Sequence, residues 1–272
     1  VTEQGLDPRN FILCTDDCHS GTLVNDGHMN RVVRHAIQQG LAPVTAIQMA
    51  TINTAQHFGM ERNLGSISPG RMADFLLVNN LAELSIDAVY GRGELLADQD
   101  GMIAELPGFS YPDNAKNTVN MKANLTPDDF NISAPGNTAT ATARVIGVVE
   151  NQAPTRALEL EVPVSDGLVT GDIEQDVCQI SLVERHKATG GVVNCLVSGF
   201  GYNIPCALAS TVAHDSHHMI VVGTSKEDMT LAANRLNQVG GGVTLFARGE
   251  EKAMVEMPIA GLMSEEATQS AI

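Results

Sequence analysis

The hydrophobic pattern of the chain changes twice, and these changes limit the folds it can adopt. From Gly27 to Gly59, apolar residues recur at the 3.6-residue spacing of amphipathic helices. From Gly65 to about residue 106, glycine-rich turns separate short strand-like runs. From about residue 144, β-branched strands alternate with a helix. This order predicts a mixed chain of helices and sheets with an α+β or α/β layered domain at its carboxyl end.

Helix ends are marked by capping residues. One helix is predicted from Met29 to Gly40, and Pro43 is placed to open the next. A further short helix is predicted to end at Gly59. Ser225 followed by Asp228 resembles a capping box, which predicts a helix that begins there and ends at the glycines from residue 240.

Strands are predicted where β-branched residues cluster. The continuous apolar run 11–15 is typical of a strand buried on both faces. Residues 107–143 are poor in large apolar side chains and are expected to form a linker. The other predicted strands are 73–78, 86–90, 144–149, 158–162, 177–183, 192–197, 219–222 and 243–247.

Composition excludes several classes of partner. The 272 residues carry 16 Lys and Arg against 32 Asp and Glu, a net charge of −16. Such a surface repels phosphate backbones and anionic lipids, so we expect neither nucleic acid nor membrane as a partner. The longest apolar runs fall far short of the ~20 residues of a membrane span. The amino terminus lacks the layout of a signal peptide, and the five cysteines contain no C-x-x-C pair, so a cytoplasmic protein with reduced thiols is expected.

Two carboxylates follow the first predicted strand directly. Asp16 and Asp17 stand at its carboxyl end, where β/α barrels place catalytic groups. A carboxylate there can ligate a divalent metal and take a proton from metal-bound water. The alternative is an ordinary turn or helix cap, in which paired aspartates are common.

A cluster of histidines precedes the predicted strand 219–222. His214 and His217 are three residues apart and His218 is four from His214, so two of them can meet on one helical turn. These rings, with Asp215, suit contact with a metal or substrate, and we hypothesise that the loop caps an active site of its own or a neighbouring subunit. The alternative is a hydrogen-bonded polar turn.

Seven segments of the chain stand out as motifs: Leu13–Asp17, Gly27–Asn30, Ala46–Asn53, Gly65–Asp74, Ser210–His218, Gly240–Gly242 and Pro258–Ser264. Together they resemble the carboxyl-terminal portion of adenine deaminases of the amidohydrolase superfamily. The G-x-I-x-x-G-x-x-A-D signature at Gly65–Asp74 is shared by many amidohydrolases, whereas the last three motifs are similar to the adenine deaminase C-terminal domain, which other amidohydrolases lack.

The resemblance implies hydrolytic deamination of adenine to hypoxanthine and ammonia, a step of purine salvage. It implies that Asp16 is a metal ligand and proton shuttle and that Asp17 is a candidate for contact with the purine. His19 lies on the same loop and is a further candidate for substrate binding; the alternative is a solvated loop histidine. The metal would be Mn²⁺ or Fe²⁺, binuclear in the full-length enzyme, and a homo-oligomer is expected. His214, Asp215 and His217 would be accessory residues.

The fold implied by the resemblance has four sections. Residues 1–64 would be the final strand-helix portion of a metal-dependent (β/α)8 barrel, 65–106 a small β element, 107–143 the linker and 144–272 the C-terminal α/β domain.

The chain departs from the amidohydrolase pattern in one respect. No His-x-His pair of the kind that amidohydrolases carry on the first barrel strand occurs in it. A complete barrel takes about 250 residues, so we expect barrel strands one to seven to be missing, in agreement with the absent initial Met, and the chain to be inactive alone. The alternatives are a noncatalytic oligomerisation or ligand-binding module, or an amidohydrolase acting on another cyclic amine or amide.

Overall fold

The chain forms two compact units in a computed structural model. The first comprises residues 1–109 and the second begins at Ser110. The structure describes residues 1–18, 20–105, 107–136, 138–150 and 152–266. In these residues no helix combines the length and the apolar character that crossing a membrane requires.

The helices of the first unit follow the predicted pattern. Gly40 ends α2 with a φ of +95°, a conformation that glycine adopts without steric cost, and Pro43 occupies the first turn of α3. Val33, Ala46 and Leu84 form the buried centre of this unit. The helices are α1 (Ser20–Asn25), α2 (Met29–Gln38), α3 (Pro43–Ala50) and α4 (Ile52–His57).

Residues 11–15 are not a strand, which corrects the prediction for this segment. Phe11 and Ile12 are 37% and 39% exposed rather than buried. The segment is held instead by Leu13 N–H, which donates to Met49 O at 3.2 Å, and by Asn53 Nδ2, which donates to Phe11 O at 3.0 Å. A buried strand requires neighbours that pair its backbone groups, and no described strand pairs with this segment.

A four-stranded antiparallel sheet completes the first unit. Its order is β1-β2-β3-β4. β1 lies two residues beyond the predicted strand at 73–78, and β2 extends the predicted strand at 86–90 by one residue at each end. Phe75 lies opposite Tyr90 in the register, and the two rings stack with centroids 4.6 Å apart. The strands are β1 (Phe75–Asn80), β2 (Ser85–Gly91), β3 (Glu94–Asp98) and β4 (Gly101–Met102).

The second unit is a nine-stranded sheet with one long helix, α5 (Lys226–Val239). The order is β13-β12-β10-β11-β8-β9-β5-β6-β7, antiparallel except for the β5–β9 pair. Met229, Ala233 and Leu236 of α5 are buried in one cluster with residues of the sheet. The strands are β5 (Thr140–Gly147), β6 (Arg156–Ser165), β7 (Leu168–Val169), β8 (Val177–Val183), β9 (Val192–Ser198), β10 (Cys206–Ser210), β11 (Met219–Gly223), β12 (Gly242–Ala247) and β13 (Glu250–Glu256).

The structure places residues 110–143, expected to be linker, in the second unit. Phe130 is fully buried, and Gln179 Nε2 donates to its carbonyl at 2.7 Å. Asn234 of α5 bonds both backbone groups of Leu125, at 2.8 and 3.0 Å. One aromatic anchor and a few side-chain-to-backbone bonds therefore fix a segment whose composition is that of a linker.

Asp228 departs from the predicted capping box at the start of α5. Ser225 Oγ accepts from Asp228 N–H at 3.2 Å, which is the first half of the motif. The Asp228 carboxylate, however, accepts from the backbone N–H groups of Arg248 and Gly249, at 3.1 and 2.7 Å. It thus fastens the β12–β13 turn to the helix.

Candidate functional site

Asp16 lies in an exposed turn. Its φ is +53°, a left-handed conformation that aspartate tolerates better than most residues. Its Oδ1 accepts from Asp17 N–H at 2.8 Å, and both aspartates are exposed. This contact joins adjacent residues, and the carboxylate lies at the surface of the first unit.

The surroundings of Asp16 do not complete a metal site. Arg31 Nη2 lies 3.9 Å from Cys18 Sγ, two residues further on. No group of three or more His, Cys, Asp or Glu side chains suited to a metal ion occurs within the described ranges. His19, the third predicted site residue, lies outside the described residues. Asp16 therefore offers one carboxylate, and the described residues do not by themselves fit a metal.

The histidine loop has two ring contacts. His214 and His217 meet edge to face with ring centroids 5.0 Å apart. They are one of the two pairs that the spacing allowed, but the segment is a turn and not a helix. The ring of His218 lies instead beside that of His186, with centroids 4.9 Å apart. His186 Nε2 is 3.0 Å from Ser216 O. His186 was missed in the sequence because it follows β8, more than 25 residues before the loop.

Arg185 is the residue on which these segments converge, and no sequence motif indicated it. Its side chain is 1% exposed. Its Nε donates to His217 O at 2.6 Å and its Nη2 to Ala260 O at 3.1 Å, with Thr211 O at 3.5 Å. Charged hydrogen bonds of this kind are stronger than neutral ones, so the guanidinium fixes the backbone on both sides of it.

The glycines at 240–242 and Gly261 lie next to Thr211 and Arg185. Thr211 Oγ1 donates to Gly261 O at 2.6 Å and accepts from Gly242 N–H at 2.7 Å. A Cβ on Gly241 would lie 2.5 Å from Gly261 Cα, and one on Gly261 would lie 2.7 Å from Arg185 Nη1. Only glycine permits these approaches. We call the assembly of Arg185 with 211–218, 240–242 and 259–261 the Arg185 cluster; it unites the three motifs similar to the adenine deaminase C-terminal domain.

Glu184 orders the loop that follows Arg185. Its carboxylate accepts from the backbone N–H groups of Thr189, Lys187 and His186 and from the Thr189 hydroxyl, at 2.5–3.0 Å. These donors, the Thr189 N–H first, lower the pKa of Glu184 to about 2 from an ordinary 4.5. The loop conformation therefore depends on an ionised carboxylate.

Replacing Glu184 with glutamine should lower stability at neutral pH by about 1 kcal/mol, a small value because solvent screens this carboxylate. A depressed carboxyl pKa contributes stability above the unfolded value of 4.5, and this contribution is lost as the pH falls towards about 2. The difference in unfolding free energy between wild type and Glu184→Gln should therefore shrink between about pH 5 and pH 2 in urea titrations. The exposed Glu159→Gln is the control; a Glu184 difference that is independent of pH would contradict the assignment.

Comparison with known protein families identifies the class of each section. Residues 3–119 match the amidohydrolase family, and residues 152–272 match the adenine deaminase C-terminal domain. The amino-terminal section is therefore similar to the amidohydrolase family, and the carboxyl-terminal section is similar to the adenine deaminase C-terminal domain. The resemblance drawn from the motifs is confirmed.

The sequence of the chain is also similar to those of individual proteins over almost its whole length. The chain is 65% identical over 266 residues to "Adenine deaminase" of Mesorhizobium japonicum and 63% identical over 266 residues to "Adenine deaminase 3" of Rhizobium meliloti. Each match covers 98% of this chain but 44% of the relative. A relative from Rubrobacter xylanophilus, also named adenine deaminase, is 47% identical. The chain spans less than half the length of these relatives and corresponds to their carboxyl-terminal portion.

Proposed function

We propose that this chain is part of an enzyme that hydrolyses adenine to hypoxanthine and ammonia, as in purine salvage. The observation that carries the proposal is the pairing of an amidohydrolase section with an adenine deaminase C-terminal domain in one chain. Relatives named adenine deaminase that match 98% of the chain support it. In the reaction, water adds its oxygen to C6 of the purine, and the amino group leaves as ammonia.

Asp16 is the residue proposed to carry chemistry. A carboxylate can take a proton from the attacking water and return it to the departing nitrogen, which is general acid–base catalysis. Its position in the section that matches the amidohydrolase family, with Asp17 beside it, supports this role. Asp17 and His19 are proposed to bind the purine.

The metal requires ligands beyond those described. The amidohydrolase family generally uses a divalent metal, and we propose Mn²⁺ or Fe²⁺ in a binuclear site. A tightly held transition metal needs about four to six ligands. Asp16 supplies one carboxylate, so the remaining ligands would come from polypeptide that corresponds to the rest of the relatives' length.

Exposed apolar side chains in the first unit support a barrel that is completed by further polypeptide. Val44 of α3 is 59% exposed, Phe58 is 67% exposed and Ile67 is 84% exposed. Side chains of this size and exposure are available for contact with further polypeptide. We propose that residues 1–64 form the last strand-helix portion of the barrel when these neighbours are present, which would also pair residues 11–15 in a sheet.

The test compares two purified proteins. One is this chain; the other is a chimera that joins the preceding portion of the Mesorhizobium japonicum relative to this chain. With Mn²⁺ or Fe²⁺ supplied, the chimera should convert adenine to hypoxanthine, followed by chromatography, and the chain alone should not. A folded chimera that is inert with adenine but active on another cyclic amine or amide would favour the wider amidohydrolase alternative. Turnover by the chain alone would contradict the proposed incompleteness of the site.

The second candidate is a noncatalytic binding or oligomerisation module. It is favoured for residues 110–266 by one observation: they form a compact unit with its own core around α5. The two functions are compatible, because a catalytic first unit and a noncatalytic second unit can belong to one enzyme.

A further inference from the structure

Buried polar atoms that lack hydrogen-bond partners concentrate in the Arg185 cluster. Six such side-chain atoms occur in the part of the chain that the structure describes. Three of them are Arg185 Nη1, His217 Nδ1 and His218 Nδ1. A fourth, Thr118 Oγ1, is two residues from Asn120, whose N–H donates to Arg185 O at 2.7 Å. Unpartnered buried polar atoms are rare in native proteins and typically mark a site for water, an ion or a ligand.

The charge of Arg185 is also uncompensated. Its three partners are neutral carbonyl groups, and it takes part in none of the ion pairs between described residues. A buried cation without a counter-ion is costly, and burial lowers the pKa of the guanidinium. The neighbouring carboxylate, Glu184, is engaged by the loop backbone and does not neutralise this charge.

The unpartnered atoms are of the type that binds anions. A guanidinium nitrogen can only donate, a hydroxyl donates as well as accepts, and an imidazole nitrogen donates in one tautomer. Two or three such donors around a positive charge match the oxygens of a phosphate or carboxylate group.

We propose that the Arg185 cluster binds a small oxyanion, a phosphate or a carboxylate, with Arg185 Nη1 as the charged donor and Thr118 Oγ1 as the neutral one. His217 and His218 supply further donors from the loop 214–218. That loop forms the outer side of the cluster, because His214, Asp215 and Ser216 are exposed whereas Arg185 is not. The loop also carries the carboxylate of Asp215, which repels an anion. The anion can therefore reach the Arg185 cluster only while the Asp215 side chain stays in solvent. The proposal rests on the unpartnered buried atoms and on the uncompensated charge of Arg185, and it does not depend on the deaminase activity.

The test is a titration of the 272-residue chain with sodium phosphate and, in a separate arm, sodium acetate, at ionic strength held constant with chloride. A specific site should raise the melting temperature along a saturating curve, by about 2–4 °C once the anion exceeds its dissociation constant several-fold. Comparison of the two arms distinguishes a phosphate ligand from a carboxylate. A rise that stays linear in concentration is general salt stabilisation and would overturn the proposal.

Variants assign the binding to the cluster. Arg185→Met should abolish the saturating rise, and Lys187→Met, which removes an exposed positive charge from the same loop, should leave it unchanged. Thr118→Val should weaken binding about tenfold, the loss of one hydrogen bond to a charged group. If Arg185→Met does not fold, Thr118→Val decides: an unchanged dissociation constant overturns the proposal. A saturating rise retained in folded Arg185→Met also overturns it.

Discussion

Asp16→Asn in the chimera should lower kcat for adenine deamination by about 10³-fold and change KM little. Asparagine keeps the size of the side chain but cannot accept a proton, so the loss falls on the chemical step. Steady-state kinetics of hypoxanthine formation give both constants.

The matched control is Asp26→Asn, because Asp26 is also an exposed aspartate of the first unit. It should leave kcat and KM within about twofold of the unsubstituted chimera. Circular dichroism on both variants checks that each is folded. An Asp16→Asn chimera that keeps more than about a tenth of the original kcat would remove Asp16 from the proposed chemistry.

Gly261→Ala should destabilise the second unit by about 2–5 kcal/mol. Two effects add: a left-handed residue with a φ of +70° acquires a Cβ, which costs about 1–2 kcal/mol, and the new methyl lies 2.7 Å from Arg185 Nη1, an overlap that costs about 1–3 kcal/mol. Urea unfolding followed by circular dichroism measures the change.

Gly249→Ala separates these two effects. Gly249 has a similar φ of +79°, yet a Cβ there meets no atom within 4 Å. The unfolding free energy of Gly249→Ala should therefore fall only by the cost of the left-handed backbone conformation, about 1–2 kcal/mol. Equal losses in the two variants would show that the approach of Arg185 to Gly261 does not contribute to stability.

The elements predicted best are those whose signals are local. α2 and α3 follow apolar periodicity between a glycine and a proline, and both are observed with the predicted ends. β8 (Val177–Val183) was predicted to the residue from its content of β-branched side chains. Small residues in β10 and charged residues in β13 concealed those two strands. β10 pairs with β12, which is distant in the chain, whereas β13 pairs with β12 across a short turn.

The predictions that failed depended on partners outside the segment. Residues 11–15 carry the composition of a buried strand, but a strand forms only where a neighbour pairs with it. The segment 110–143 has the composition of a linker, yet Phe130 and side chains of the sheet and of α5 hold it. The composition of a segment shows which side chains it can bury, but it does not show which other segments pack against it in the fold.

In the candidate sites, too, the features with a local sequence pattern were predicted, and those formed by residues distant in the chain were missed. The three carboxyl-terminal motifs were recognised in the sequence, and the structure brings them together around Arg185. Arg185 itself was missed, because a single arginine after a strand has no pattern and its three carbonyl partners lie 26 to 75 residues away. The proximity of His218 to His186 was missed for the same reason.

Asp16 is proposed to be the one ligand that this chain contributes to a metal site. The metal content of the purified protein tests this role directly. Three purified proteins are measured by elemental analysis after dialysis with Mn²⁺ or Fe²⁺: the chain, the chimera and the Asp16→Asn chimera. We predict at least one retained metal per subunit in the chimera, markedly less in its Asp16→Asn variant and none in the chain. Stoichiometric metal in the chain alone, or an Asp16→Asn chimera with its full metal content, would contradict the account.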